Sequence, residues 1–385
     1  MSLDELVQRL VKVIPAQKFL LSVYLDLRPD GRGKKLYPVF LKNRAPELSK
    51  LLPAHAPEQS LLAKDIKRVH EYLDQDLDPS WKGIALFSCS SVGLFLAVPM
   101  PLPPENTLAW SPFPHLFSLL RWADLYRTYA VVAANSRQAR LFLVSEGRPE
   151  KQTSLFWEDQ HTTRFGRMGW SLPKFQRHIQ EHIKQRAKET IENLGKLIPL
   201  RKTEFLFTIA EEGVEMEMKK QLPSSLRKKQ TSLPSLDPHD PDHKILSGAL
   251  EALQKISREK AEVLARSILE EAQPTGRGTT GPEPTLSALQ NHQVERLVFD
   301  SRFQARGWRC SKCAFLGMGG LPGACPLCQG KALPVELRED ILLKAQVQRV
   351  GLFFTEKFSP LLKAGGVGAL LKFKISSGTR RQPTK

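Results

Sequence analysis

No stretch of this sequence is apolar for long enough to read as a membrane helix. The most apolar run, residues 84–98, is broken by Ser88, Ser90, Ser91 and Gly93. It falls short of the roughly 18–20 apolar residues that a span requires. A secretory leader is not readable either. The opening MSLDELVQRLVKVIP sets Leu3, Leu6, Leu10 and Val13 at helical spacing with charges between them, which predicts an amphipathic first helix. The expectation is a cytoplasmic protein with no membrane segment. Cysteine is scarce, with five residues, and in that setting a disulfide framework is not expected. Negative charge is also short: 40 Asp and Glu face 57 Lys and Arg, a formal net charge of +17. Such an excess favours a polyanionic partner, either nucleic acid or an anionic membrane surface. Hydrophobic residues make up 41% and charged residues 25% of the 385 positions. That is globular composition, with length for two to four domains.

The pattern along the chain is mixed α/β. Residues 19–27 (FLLSVYLDL) read as a strand ending at the turn signal Arg28-Pro29-Asp30-Gly31. Residues 60–73 read as a helix, and 83–89 and 93–98 as strands around a short turn, followed by a proline-rich connector at 99–107. Residues 128–134 and 139–145 pair as a hairpin around Asn135-Ser136-Arg137-Gln138. The segment 158–171 has neither apolar period and reads as a loop. It feeds a long helix at 172–198 with an apolar stripe from Leu172 to Ile198 and Pro173 in its first turn. A strand at 205–210 and a second long helix at 243–272 follow. Residues 273–285, dense in Pro, Gly and Thr, read as a linker. Residues 286–293 then read as a helix and 294–300 as a strand. The expected domains are 1–125, 126–272 and 286–375, with a basic tail at 376–385.

The strongest motif is Cys310-Ser-Lys-Cys313, eleven residues, then Cys325-Pro-Leu-Cys328. Each C-x2-C turn points two thiolates inward, and two such turns supply four sulfur ligands for a structural Zn2+, with an iron–sulfur cluster or a site that has lost its metal as the alternatives. Gly317, Gly319, Gly320 and Gly323 permit the reversal between them. The lone Cys89, in an apolar run, reads as a buried small hydrophobe. His178-Ile-Gln-Glu181-His182 matches H-x-x-E-H of inverted zinc metalloproteases, but on a helix rich in Lys and Arg it reads as a solvated face. Gly276-Arg-Gly278-Thr-Thr-Gly281 satisfies G-x-G-x-x-G in the wrong context, after a helix and before Pro282. The loop 158–171 interleaves Arg164 and Arg167 with Phe165 and Trp170, and the helix behind adds Lys174, Arg177, Lys184, Arg186 and Lys188. Cations with accessible aromatics are the means by which proteins meet phosphates and unstacked bases. The candidate RNA-binding residues are Arg164, Arg167, Trp170, Lys174 and Arg177.

The order of these parts resembles the archaeo-eukaryotic class-I peptide-chain release factor family, with Pelota and the family's bacterial members. The carriers are the hairpin YAVVAANSRQARLFLV, the loop and basic helix behind it, VERLVFD, the cysteine knuckle and GVGALLKF. The match is best over about 126–375. The resemblance implies a three-domain, tRNA-shaped protein that enters the ribosomal A site. Its first domain would meet the decoding centre, its second the peptidyl-transferase centre, and its third a translational GTPase. Release factors carry Gly-Gly-Gln at the tip of the second-domain loop, where the glutamine helps catalyse hydrolysis. Here that position reads Met168-Gly169-Trp170. The Asn-Ile-Lys-Ser stop-codon motif is also absent from 28–60, where Leu41-Lys42-Asn43-Arg44 is only a basic stretch. The resemblance therefore implies a ribosome-binding relative without release chemistry and without assigned catalytic residues. Ribosome hibernation, as in the Balon-type branch, fits. The alternative is a stalled-ribosome rescue factor that hydrolyses peptidyl-tRNA. Expected partners are rRNA, P-site tRNA and a GTPase, and the expected cofactor is the zinc ion.

Overall fold

The computed structural model describes residues 3–12, 19–50, 52, 57–157, 172–198, 203–273 and 276–374, and for 172–175 it describes the backbone. The chain divides into two compact units. Residues 124–255 form one, and residues 1–123 with 256–385 form the other.

The first part of the larger unit begins with α1 (Leu3–Lys12), which buries Leu6, Val7 and Leu10 at helical spacing. Next come β1 (Leu20–Asp26), α2 (Tyr37–Lys50), α3 (Pro57–Gln75), β2 (Gly83–Cys89), β3 (Leu94–Pro99), β4 (Thr107–Ser111) and the one-turn α4 (Phe117–Leu120). The strands form one antiparallel sheet in the order β3-β2-β1-β4. β1 and β2 are central and covered on both faces, so they read as unbroken apolar runs. β3 is at an edge and alternates buried with half-buried residues. Leu62, Val69 and Leu73 of α3 pack on this sheet against Val23, Leu25 and Leu86. The buried Asp65 ties α3 to the end of β2. It accepts from the Ser88 hydroxyl at 2.7 Å, the Ser90 N–H at 2.8 Å and the Ser90 hydroxyl at 2.5 Å. The proline-rich connector ends where β4 begins, at Thr107, a strand the sequence pattern had not revealed.

The smaller unit contains β5 (Tyr129–Ala134), β6 (Gln138–Ser145), β7 (Arg148–Phe156), α5 (Leu172–Leu197), β8 (Phe205–Ala210), α6 (Glu212–Gln221), α7 (Ser224–Arg227) and β9 (Gln230–Ser232). It also holds the first half of α8 (Asp242–Glu270). Its sheet runs β7-β6-β5-β8-β9. The expected hairpin is present: β5 and β6 pair antiparallel, with Ala134 opposite Ala139. The Asn135 side chain sets the turn by accepting from the N–H groups of Arg137 at 2.7 Å and Gln138 at 2.8 Å. β8 pairs parallel to β5, so a crossover is required, and α5 lies within it. Ala187, Leu194 and Ile198 form a core with Leu141, Leu206 and Met218. β7 is an exposed, charged edge strand. Its outward residues hide the apolar alternation by which a strand is recognised.

The larger unit resumes with β10 (Gly278–Thr280), α9 (Pro282–Gln290), β11 (Val294–Asp300), β12 (Arg306–Cys310), β13 (Leu316–Met318), β14 (Ala332–Glu336), α10 (Leu337–Val347), β15 (Gly351–Thr355), α11 (Ser359–Lys363) and β16 (Val367–Leu371). One sheet has the order β10-β16-β11-β15, with β11 and β15 parallel. The expected linker at 273–285 is instead partly structured, since it holds β10 and the start of α9. Its glycines are there for close packing. A Cβ on Gly276 would stand 1.9 Å from the Glu271 carbonyl oxygen, and one on Gly278 2.3 Å from that of Ile268. A separate small sheet, β13-β12-β14, carries the four cysteines. Among the described residues no helix is long and apolar enough to cross a membrane.

Candidate metal centre and basic helix

Two matching turns build the cysteine site. In the first, the Cys310 N–H donates to the Phe315 carbonyl and the Ala314 N–H to the Cys310 carbonyl. In the second, the Cys325 N–H donates to the Gly330 carbonyl and the Gln329 N–H to the Cys325 carbonyl. The residue after each second cysteine, Ala314 or Gln329, is left-handed, with φ of 56° and 58°. The chain accepts this strain twice to fold each pair of thiols back on itself. The Lys312 and Cys313 N–H groups point at the Cys310 sulfur at 3.4 and 3.5 Å.

The four sulfurs lie within 4.8 Å of one another. Cys310 and Cys328 are 3.4 Å apart, and Cys313 and Cys325 are 3.7 Å apart. Tetrahedral S4 ligation with metal–sulfur bonds of about 2.3 Å places sulfurs about 3.8 Å apart, whereas a disulfide needs about 2.05 Å. The donor set therefore suits a metal ion such as zinc. The N–H of Cys313 lowers the Cys310 thiol to about 6, with help from that of Lys312. The Cys313 thiol is pushed up to about 12: the Phe315 N–H opposes the shift, but burial and the three neighbouring thiols outweigh it. Four sulfurs this close cannot all ionise without a cation among them. Trp308, Cys310, Cys325 and Ala332 form the small core behind the site. Among the described residues this is the one group of three or more His, Cys, Asp or Glu side chains close enough to share an ion. Cys89 is fully buried, as expected.

The basic helix is α5. Arg177 is exposed on it, and the side chain of Lys174 lies outside the described set. Arg164, Arg167, Met168, Gly169 and Trp170 fall at 158–171, outside the described residues. Lys184 is exposed and pairs with Glu181 at 3.4 Å. Arg186 departs from its expected place on the solvated face. It is buried, donates to the Ser136 carbonyl and stands over the Trp157 ring, 5.8 Å from its centroid. Its guanidinium holds the hairpin turn and is not free for RNA. His178 and His182 stack at 4.4 Å, and no third ligand group joins them among the described residues.

A second polar cluster, invisible in the sequence, lies at the start of α10. The Glu339 carboxylate is buried and accepts from the N–H groups of Leu116 at 2.7 Å and Phe117 at 3.1 Å. Asp340 accepts from Arg309 at 2.7 Å. Burial raises the Asp340 carboxyl to about 6 against the pull of Arg309, and it also raises Glu339 against that of Arg338. Burial lowers the nearby His115 to about 4, so it is neutral at pH 7. In sequence, Glu336, Glu339 and Asp340 look like ordinary acids in the first turn of a helix.

Residues 114–254 match the family described as "Bacterial archaeo-eukaryotic release factor family 10". No curated protein matches the chain. Among solved structures, the archaeal translation termination factor aRF1 is 13% identical, with 97% of this chain and 99% of that one covered at a TM-score of 0.23. A ribosome-bound archaeal Pelota, solved with ABCE1, is 10% identical, covering 97% and 94% at a TM-score of 0.36. Saccharomyces cerevisiae Dom34, a translation termination-like factor that interacts with Hbs1, is 10% identical, covering 78% and 83% at a TM-score of 0.33. The central segment, residues 114–254, is thus similar to the bacterial archaeo-eukaryotic release factors of family 10.

Proposed function

We propose that this protein enters the ribosomal A site as a release-factor relative that holds the ribosome without cutting the peptidyl-tRNA ester. The observation that supports this reading is Met168-Gly169-Trp170, inside the segment 114–254 that is similar to family 10, where release factors have Gly-Gly-Gln. Ester hydrolysis needs donors and a water positioned at the developing oxyanion. A glycine pair lets the backbone approach closely. Methionine in place of the first glycine blocks that approach. Tryptophan has an N–H but no carbonyl, so it cannot both donate to and accept from a water as glutamine does. Its ring suits stacking on an unpaired base, which favours holding over cutting. Hibernation or stalling is the role in keeping with this chemistry. The three-domain division at 1–125, 126–272 and 286–375, the cytoplasmic setting and a GTPase partner for the last domain belong to the same proposal. So does Zn2+ at Cys310, Cys313, Cys325 and Cys328, structural because the chain supplies all four ligands.

A rescue hydrolase is the second reading, favoured by the glycine that remains at position 169. Both readings require binding to the ribosome. The protein should co-sediment with ribosomes, and log K should fall by about 0.7–0.9 per log unit of salt for each phosphate neutralised. Reversing charge at Arg164, Arg167 and Lys174 together should weaken binding more than the same change at Arg380, Arg381 and Lys385. Equal effects would show that net charge alone is at work.

A further inference from the structure

The larger unit contains a pocket of about 770 Å3 between the segment 111–115 and the β12–β14–α10 corner. Its size lies within the range of small-molecule sites. Its charge opposes that of the chain. In a protein of net charge +17, the charged residues around it are Glu58, Glu336, Glu339 and Asp340 against Arg309. His115 also lines it and is neutral, so it adds no positive charge.

Asp340 is the decisive residue. Its side chain is 1% exposed. Arg309 holds Oδ1 at 2.7 Å, which fixes the carboxylate, while the buried Oδ2 has no hydrogen-bond partner. A buried acceptor left unpaired costs about 1–3 kcal/mol, more when charged, and folded proteins rarely keep one without a use. The Leu116 and Phe117 N–H groups hold the Glu339 carboxylate beside it through Oε2, while Arg338 Nε stands 3.9 Å from Glu339 Oε1 and 3.8 Å from Glu336 Oε2 and donates a hydrogen bond to neither. Arg309 shows how the pocket treats a guanidinium, with one edge on a carboxylate and its plane over the Phe113 ring, 4.8 Å from the centroid. Phe19 adds a second aromatic wall.

We propose that this pocket binds a second guanidinium carried on a short apolar stem, which donates to Asp340 Oδ2 and is flanked by Glu336 and Glu339. A planar fork of donors matches a carboxylate edge and stacks on aromatic faces, whereas an ammonium is a hydrated point charge. The group can arrive as a free alkylguanidinium or as an arginine side chain of a partner, and the chemistry is shared.

Ligand-observed NMR titration of the full-length protein tests this with three probes: ethylguanidinium, its neutral isostere ethylurea, and an acetylated Gly-Arg-Gly amide. Saturable binding of ethylguanidinium is expected, with ethylurea about tenfold or more weaker, equivalent to 1.4 kcal/mol. Asp340→Asn should lower ethylguanidinium affinity at least as much. Because that variant disturbs a buried ion pair, Glu336→Gln is the second arm. Glu336 is half-exposed, and glutamine keeps the oxygen that accepts from the Arg338 N–H. A loss of affinity in Glu336→Gln with an unchanged near-ultraviolet spectrum supports the site. Tighter binding of the peptide points to a partner's side chain, and equal binding to a free ligand. The proposal is overturned if ethylurea binds as well as ethylguanidinium, if neither variant changes affinity, or if no guanidinium probe saturates.

Discussion

His115 makes the larger unit sensitive to acid in a way a single substitution can isolate. Burial lowers its pKa from 6.5 to about 4, with Glu336 pulling up and Arg338 pushing down. The folded protein thus keeps the ring neutral where the unfolded chain protonates it. Between pH 6.5 and 4 the unfolded state binds more protons, so this group's contribution to stability falls as pH falls through that window. From pH 7.5 to 5.5 the loss approaches 1.4 kcal/mol at 1.36 kcal/mol per unit, and screening at a side chain 31% exposed brings it to about 1 kcal/mol. Asp340 has the opposite sign. Its carboxyl is raised from 3.8 to about 6, so its contribution is present at low pH and lost as pH rises through about 4 to 6. The two groups offset each other, and the wild type should show a shallow pH profile. His115→Gln removes one side of the balance. Its stability relative to wild type should improve by about 1 kcal/mol on going from pH 7.5 to 5.5. Hydrogen exchange of β1 amides in urea at the two pH values reads this unit alone. A wild-type minus variant difference that does not change with pH would refute the claim that the fold holds His115 neutral.

Two further outcomes follow from the small cysteine sheet. Elemental analysis should find one metal ion per chain, and Cys310→Ser should abolish it and loosen β12–β14 while leaving the exchange pattern of β5–β8 intact; metal-free wild type purified without chelators would contradict the site. Gly317→Ala should destabilise the same sheet by about 1–3 kcal/mol, because its Cβ would stand 2.3 Å from the Trp308 ring, and an unchanged melting midpoint would show that the ring can move aside.

The sequence made the central strands legible because burial on both faces leaves continuous apolar runs, as in β2 and β5. The knuckle was legible because cysteine pairs at that spacing have few other uses. Edge elements were not. β7 shows mostly polar residues to solvent, and β4 hides behind prolines. The glycines at 276 and 278 signalled flexibility by composition but serve close backbone approach. Arg186 looked like its exposed neighbours on α5, and only the turn at Ser136 gives it a reason to be buried. Glu339 and Asp340 were missed because their partners, Leu116 and Arg309, lie far away in sequence or across a strand.

The most direct test of the central claim is a peptide-release assay. Purified protein is incubated with ribosomes carrying peptidyl-tRNA, with and without a stop codon in the A site, and free peptide is measured against a release-factor control. Ribosome binding with at most trace release is expected in either case. Robust release by the wild-type protein, abolished by Gly169→Ala, would contradict it and make the rescue hydrolase the correct reading.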